Sequence, residues 1–295
     1  MEFPFGSFFS RLYQKAFEDH IFDSAAQVGF YFSFALFPLL LFLVSLVGVV
    51  LGATDEYQRE LYFYLSQVMP PAAFGLVKKT VTEVTLNSTG GKITIGLAIA
   101  LWSASAGIDS LRIALNRVYG YQERRPWVAT RSIAVVLTFA LTILVSAALF
   151  GVFRGWQIVL YVFDSFGYSE PGPFLLVAIQ WLTTIAILLV IFELLYNVLP
   201  DRRPFRWKWI TPGASVGISL WLVLSMSWKA YLSYFDNYDR IYGSIGAGIV
   251  LMLWLYLTAL AILIGGMVNS ILHEISDERL ETEETPDVVD VEGDS

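Results

Sequence analysis

A chain of 295 residues with 56% hydrophobic and 15% charged residues, and a mean hydropathy of +0.60, carries more apolar surface than one soluble core can hide. Ten of its 26 acidic residues lie from Glu274 onward, against Arg279 alone, so the net charge of −7 belongs to the C-terminal tail rather than the body. The absence of cysteine excludes disulfides, thiolate metal sites and cysteine nucleophiles.

Residues 1–22 lack the basic-then-apolar order of a cleavable signal. Phe8, Phe9, Leu12, Tyr13 and Phe17 recur at helical spacing with Arg11 and Lys15 between them. This predicts a helix in the cytoplasmic interface or one capping the bundle. A first membrane span follows over 24–51, opened by Asp23 or Ser24 and interrupted by Pro38. Residues 53–91 are too polar to span. Their apolar positions (Tyr57, Leu61, Tyr64, Leu65, then Phe74, Val77, Val81, Val84) describe two amphipathic helices broken at Pro70-Pro71, an extracytoplasmic hairpin. Further spans are predicted over 93–119, 128–153, 174–199, 209–235 and 241–272, each roughly the 20 apolar residues that a bilayer requires. The fold class is therefore an all-α polytopic membrane bundle of six transmembrane helices. An acidic tail over 273–295, poor in aromatics, is expected to be disordered.

Orientation follows from basic residues in the short loops. The segment around the second-to-third connection holds Arg112, Arg117, Arg124, Arg125 and Arg131, and the fourth-to-fifth holds Arg202, Arg203, Arg206 and Lys208. Both loops, and with them both termini, are expected in the cytoplasm. The basic residues Arg59, Lys78, Lys79 and Lys92 run against this, but in a long segment that also holds Asp55, Glu56, Glu60 and Glu83.

Small residues mark close helix contacts. Gly213 and Gly217 form a GxxxG, Ser103 and Gly107 sit four apart, and the sixth span opens with Tyr242, Gly243 and Gly246. Pro38 and Pro212 are candidate hinges. The same motifs serve packing within one chain or a homo-oligomer.

Ionisable groups within membrane spans are costly and rare, so each is a functional suspect. Threading the spans in alternating directions puts Gln27, Asp109, Arg112, Asn116, Glu193 and Asn269 in the cytoplasmic third. At about 1.5 Å per residue, Arg112 and Glu193 fall at a common depth and could pair. With Tyr31 these residues would line a polar vestibule open to the cytoplasm, with Glu193 or Asp109 as proton-coupling carboxylates. The plain structural alternative pairs Asp109 with Arg112 one turn on and leaves Glu193 snorkelling or capping locally. Lys229 is expected to reach the outer headgroups.

Catalytic templates fail: His20 and His273 stand near opposite termini, with no HExxH and no complete P-loop around Gly90-Gly91-Lys92. His273 beside Glu274 reads as a helix terminus, not a ligand pair. No cofactor, metal or nucleic acid is implied, and the arginines are accounted for by orientation and anionic lipid headgroups.

Particular strings carry a resemblance. Residues 25–33 (AAQVGFYFS) leading to Phe37-Pro38-Leu39, the Ala114-Leu115-Asn116-Arg117 turn, Leu199-Pro200 with its basic loop and Thr211-Pro212-Gly213-Ala214 are similar to the YihY/BrkB family. So are Tyr242-Gly243-Ser244 and Leu253-Trp254-Leu255-Tyr256. Together they cover residues 10 to 272. The resemblance implies a six-helix bacterial inner-membrane protein linked to envelope resilience, with suspected transport; the family's older ribonuclease label is regarded as mistaken. Many relatives end the sixth span on Gly-Ala-Glu-x-Asn, whereas here Met267 takes the carboxylate's place and Asn269 keeps its match.

These readings favour a transporter or translocator of a small solute or lipid-like amphipath. The alternative is a non-transporting envelope scaffold acting through the hairpin of residues 53–91. An enzyme acting on lipids would need acid-base groups converging in a cleft.

Overall fold

Small residues four apart, such as Gly213 with Gly217 and Ser103 with Gly107, give a helix one face suited to another helix. The computed structural model describes residues 5–50, 90–167, 172–204, 207–234 and 238–284, and all their regular structure is helical. The elements are α1 (Phe5–Glu18), α2 (Ile21–Val50), α3 (Gly90–Val118), α4 (Trp127–Ser165), α5 (Pro173–Val198), α6 (Pro212–Tyr234) and α7 (Tyr238–Glu284). Pro173 and Pro212 open α5 and α6, where the missing N–H costs nothing. Pro38 lies inside α2 without ending it.

Helices α2 to α7 pack in chain order, each on the next, and α7 closes the ring against α2. α1 turns back through His20, which has a positive φ of 49°, and lies against α2 and α7. Lys15 fixes it there, donating from Nζ to Ser270 Oγ at 2.9 Å and pairing with Glu274.

The buried side chains gather at one end. They fall in the first halves of α2, α4 and α6, the last halves of α3 and α5 and the middle of α7 from Leu255 to Ile275, the parts that alternating helices bring together. Ile21, Leu111, Leu115, Leu263, Met267 and Ile271 are almost wholly buried in this core. The opposite halves expose Tyr161, Phe174, Leu182, Val223 and Met226, the apolar surface of helices that face lipid.

Glycines set the closest approaches. A Cβ on Gly213 would stand 2.0 Å from the Gly265 carbonyl oxygen, and one on Gly265 would stand 2.5 Å from the Gly213 oxygen. The GxxxG of α6 therefore meets its partner on α7. Gly29 of α2 lies against the Tyr256 backbone in the same manner, its Cβ position 2.9 Å from Tyr256 Cα.

Among the described residues, four stretches are long and apolar enough to cross a membrane: Ala98–Val118, Trp127–Ala148, Pro173–Val198 and Gly248–Asp277. Pro212–Trp228 is a shorter apolar helix. The expectation of six spans is thus met by four on these criteria. Two helices outrun their expected ends. α4 continues to Ser165, through the stretch expected as a connection, and α7 continues to Glu284, so residues 273–284 are helix where a disordered tail was expected. The run from Leu272 to Glu274 is uninterrupted helix because nothing in it breaks the i to i−4 pattern, and His273 is not a helix terminus. Residues 53–89 of the expected hairpin, the tail beyond 284 and the Lys229 side chain lie outside the described residues.

Candidate functional site

The packed end carries two polar clusters and a cleft. The first begins with the C-terminus of α3. Gly120 has φ 68°, and the Gly120 and Tyr121 amides donate back to the carbonyls of Arg117 at 3.0 Å and Asn116 at 2.8 Å. This glycine-terminated cap reverses the chain. It brings Glu123 back along α3, where it pairs with Arg112 and accepts from Asn116 Nδ2 at 3.0 Å. Arg112 also donates from Nε to Asp109 Oδ1 at 2.9 Å, one turn earlier. Glu123 accepts from Arg125 Nε at 2.7 Å, and Arg125 Nη2 donates to the Leu199 carbonyl at 2.7 Å, neutralising the C-terminal end of α5. Asn116 Oδ1 accepts from the Asp201 amide at 2.8 Å and Asp201 Oδ2 from the Arg124 amide at 2.9 Å, so the loops after α3 and α5 are pinned together. Burial alone would raise the Glu123 carboxyl, but the hydrogen bonds and charge of Arg125, with Arg112, outweigh it and bring it to about 2.

The second cluster joins α5, α6 and α7. Glu193 is buried; its Oε1 accepts from the Thr211 amide at 2.6 Å and hydroxyl at 2.9 Å, and its Oε2 from Asn197 Nδ2 at 3.0 Å. Thr211 precedes α6, so the carboxylate sits at that helix's positive end. Asn197 also clasps the Lys208 backbone, accepting from its amide and donating to its carbonyl, each at 3.0 Å. Asn269 of α7 accepts from the Gly213 amide at 2.7 Å and donates to Thr211 Oγ1 at 3.1 Å.

Over this second cluster lies a cleft of about 270 Å³ whose wall includes Tyr119, Tyr121, Arg202, Lys208, Asn269 and His273. Tyr119 and Tyr121 stack with centroids 5.6 Å apart. Burial pushes the Tyr121 phenol up, leaving it as a neutral hydrogen-bonding hydroxyl. The Lys208 ammonium is pushed down by burial and by the charge of Arg202. Among the described residues, no group of three or more histidine, aspartate or glutamate side chains could hold a metal ion.

The structure divides the residues singled out from sequence. Asp109, Arg112 and Asn116 share the first cluster, and Glu193 and Asn269 the second, with Asn269 alone of the five on the cleft wall. Arg112 and Glu193 do not pair: each is saturated by nearer partners on its own side, Asp109 and Glu123 for one, Thr211 and Asn197 for the other. Gln27 and Tyr31 are exposed on the outer face of α2, away from Ala25, Val28 and Gly29, which face the core. The cleft's cations, Arg202 and Lys208, stood out from sequence only as orientation signals. Glu123 gave no signal, since a loop carboxylate reads as solvated until the Gly120 turn folds it inward.

Comparison with known proteins agrees with the resemblance read from sequence. The model of the family described as virulence factor BrkB matches residues 12–288. A Bacillus subtilis protein named ribonuclease-like protein YfkH is 31% identical over 85% of this chain and 90% of its own length. Membrane proteins named UPF0761 from Xanthomonas campestris and Xanthomonas oryzae are 25% identical over 90% of this chain. The chain spans only 60% of the length of these Xanthomonas relatives. No solved structure matches it.

Proposed function

Because the chain belongs to the virulence factor BrkB family, we propose that it is a six-crossing bacterial inner-membrane protein that moves a small solute or lipid-like amphipath. Its packed end faces the cytoplasm, and the substrate enters by the cleft between α5, α6 and α7. The observation that carries this reading is the cleft itself, a space of about 270 Å³ at the packed end whose wall sets Arg202, Lys208 and Asn269 among apolar residues. A dry, filled end would instead favour the scaffold. The positive-inside rule supports the orientation, since Arg124, Arg125, Arg202 and Arg203 all belong to this end.

The ribonuclease wording of one relative's name does not carry over. Arg112 and Arg125 are engaged with Glu123, and Arg131 stacks over the Trp102 ring at 4.2 Å while donating to the Trp102 carbonyl. Binding of nucleic acid would need such groups free on a basic face.

Transport is tested with the full chain in phosphatidylcholine vesicles, following the inward-outward exchange of a fluorescently headgroup-labelled phosphatidylglycerol by dithionite quenching. Exchange above that of empty vesicles, slowed by Asn269→Leu, supports the reading; exchange equal to empty vesicles removes lipid movement. The native chain has no cysteine, so single cysteines at Gln122 and Ser165 report topology directly. Gln122 should react only from the cytoplasmic side and Ser165 only from outside.

A further inference from the structure

Arg202 and Lys208 both stand on the cleft wall, and among the described residues no carboxylate lies within ion-pair distance of either. Lys208 is tied only through its backbone, by Asn197, and its ammonium meets no acceptor among the described residues. Arg202 uses one of its five donors, on His273 Nε2 at 2.9 Å. A nitrogen that accepts from a guanidinium carries no proton, so the neutral ring holds its hydrogen on Nδ1, which donates to Asp277 Oδ2 at 2.7 Å. Asp277, the carboxylate on the described wall, is thereby engaged with the histidine. Arg202 and Lys208 thus set two positive charges against the one described wall carboxylate, Asp277, and leave this wall with an excess of positive charge for an anion.

Ile210 on the cleft wall is preceded in the chain by two tryptophans, Trp207 and Trp209. Ile210 is 75% exposed and Trp209 81% exposed, with Trp207 in edge contact at 5.7 Å between centroids. Tryptophans of this kind mark the headgroup depth of a bilayer. A fork-shaped donor, a point-charge ammonium and tyrosine hydroxyls around one space suit a tetrahedral oxyanion with several oxygens. We propose that the cleft binds a phosphate group between Arg202 and Lys208, that of an anionic phospholipid or of a free phosphomonoester. This rests on the cleft being the substrate site and names its substrate class.

The test uses the full chain in detergent micelles, with native mass spectrometry to read retained phosphatidate against phosphatidylcholine at equal mole fraction, and with inorganic phosphate as competitor. Phosphatidate should be retained in preference. Arg202→Gln and Lys208→Gln should each weaken retention about tenfold, the scale of one lost charge-assisted contact. Arg203→Gln, whose guanidinium faces Asp201, should leave it unchanged. Among the described residues the Lys208 ammonium has no partner, so Lys208→Gln removes no contact that they make. Displacement by inorganic phosphate identifies a free phosphate as sufficient, and resistance to it identifies the lipid; both uphold the site. Equal retention of the two lipids, or unchanged retention in Lys208→Gln and Arg202→Gln, overturns it. Selective binding without lipid exchange in vesicles removes transport and leaves this site, whereas exchange indifferent to Lys208→Gln removes this site and leaves transport.

Discussion

Glu193 and Thr211 are joined by two hydrogen bonds, from the threonine amide at 2.6 Å and its hydroxyl at 2.9 Å, to one carboxylate oxygen. The contact ties the last turns of α5 to the first of α6 across the basic loop, and it places a negative charge where the α6 dipole favours one.

Glu193→Ala should cost about 3 kcal/mol, because it leaves the Thr211 amide and hydroxyl buried without their acceptor, while Asn197 keeps the backbone carbonyls of Glu193 and Lys208. Glu193→Gln keeps one acceptor for Thr211 but sets an amide donor against Asn197 Nδ2, so a loss of about 1 kcal/mol is expected. Thermal unfolding in detergent micelles reads both. An alanine variant as stable as the parent chain would show that the clamp contributes nothing.

The glycine contacts predict a ranking. Gly213→Ala and Gly265→Ala each push a methyl into a backbone oxygen at 2.5 Å or closer, which cannot turn aside. Losses of about 3 kcal/mol or failure to assemble are expected, the upper range for overpacking. Gly217→Ala meets the Phe192 and Tyr196 side chains at 2.7 and 3.0 Å, which can shift, so about 1 kcal/mol is expected. Gly151 of α4 faces open space, and Gly151→Ala should be neutral or gain about 0.5 kcal/mol from helix propensity. Yield and unfolding temperature of the purified variants check the order; Gly213→Ala tolerated as well as Gly151→Ala would break it.

Much of this was legible because lipid permits few solutions. Apolar runs gave the helices, and Gly213 with Gly217 announced a close contact, although nothing local named Gly265 as the partner. The pair Asp109 and Arg112 was readable because i,i+3 neighbours on a helix must meet. Glu123 and Glu193 were not readable in their true settings, since each is satisfied across a chain reversal. The misplacement of Gln27 and Tyr31 has a simple cause: polarity was taken for inwardness. On α2 the inner face is set by Ile21, Ala25, Val28 and Gly29, and Gln27 and Tyr31, four apart, share the opposite one with Phe30 and Phe34. Met267 is 1% exposed and packs in the core.

Glu123 predicts a response to acid. Its folded-state pKa of about 2 lies below its ordinary 4.5, so the stabilisation is fully present above 4.5 and is lost as pH falls from there toward 2. Glu123 is an exposed residue, so solvent screening leaves about 1 kcal/mol of this as stability. Glu123→Gln should therefore lower stability at pH 7 and flatten its decline between pH 4.5 and 3 relative to the parent chain. Parallel pH profiles for the two proteins would mean that the Arg112–Glu123–Arg125 grouping carries no net charge stabilisation.

Asn269 tests the orientation of a single amide. Its oxygen accepts from the Gly213 amide at 2.7 Å and its nitrogen donates to Thr211 Oγ1 at 3.1 Å, while the Thr211 hydroxyl is committed as a donor to Glu193. Asn269→Asp keeps the first contact and turns the second into two facing acceptors, with a second carboxylate brought toward Glu193. A loss of about 2 kcal/mol is expected. Asn269→Leu, similar in size, leaves the Gly213 amide unpaired and should cost about as much. The two diverge with pH: acidification protonates the aspartate, restores a donor toward Thr211 and should recover stability in Asn269→Asp alone. If both variants respond alike between pH 7 and 5, the amide does not hold the orientation that its two contacts require.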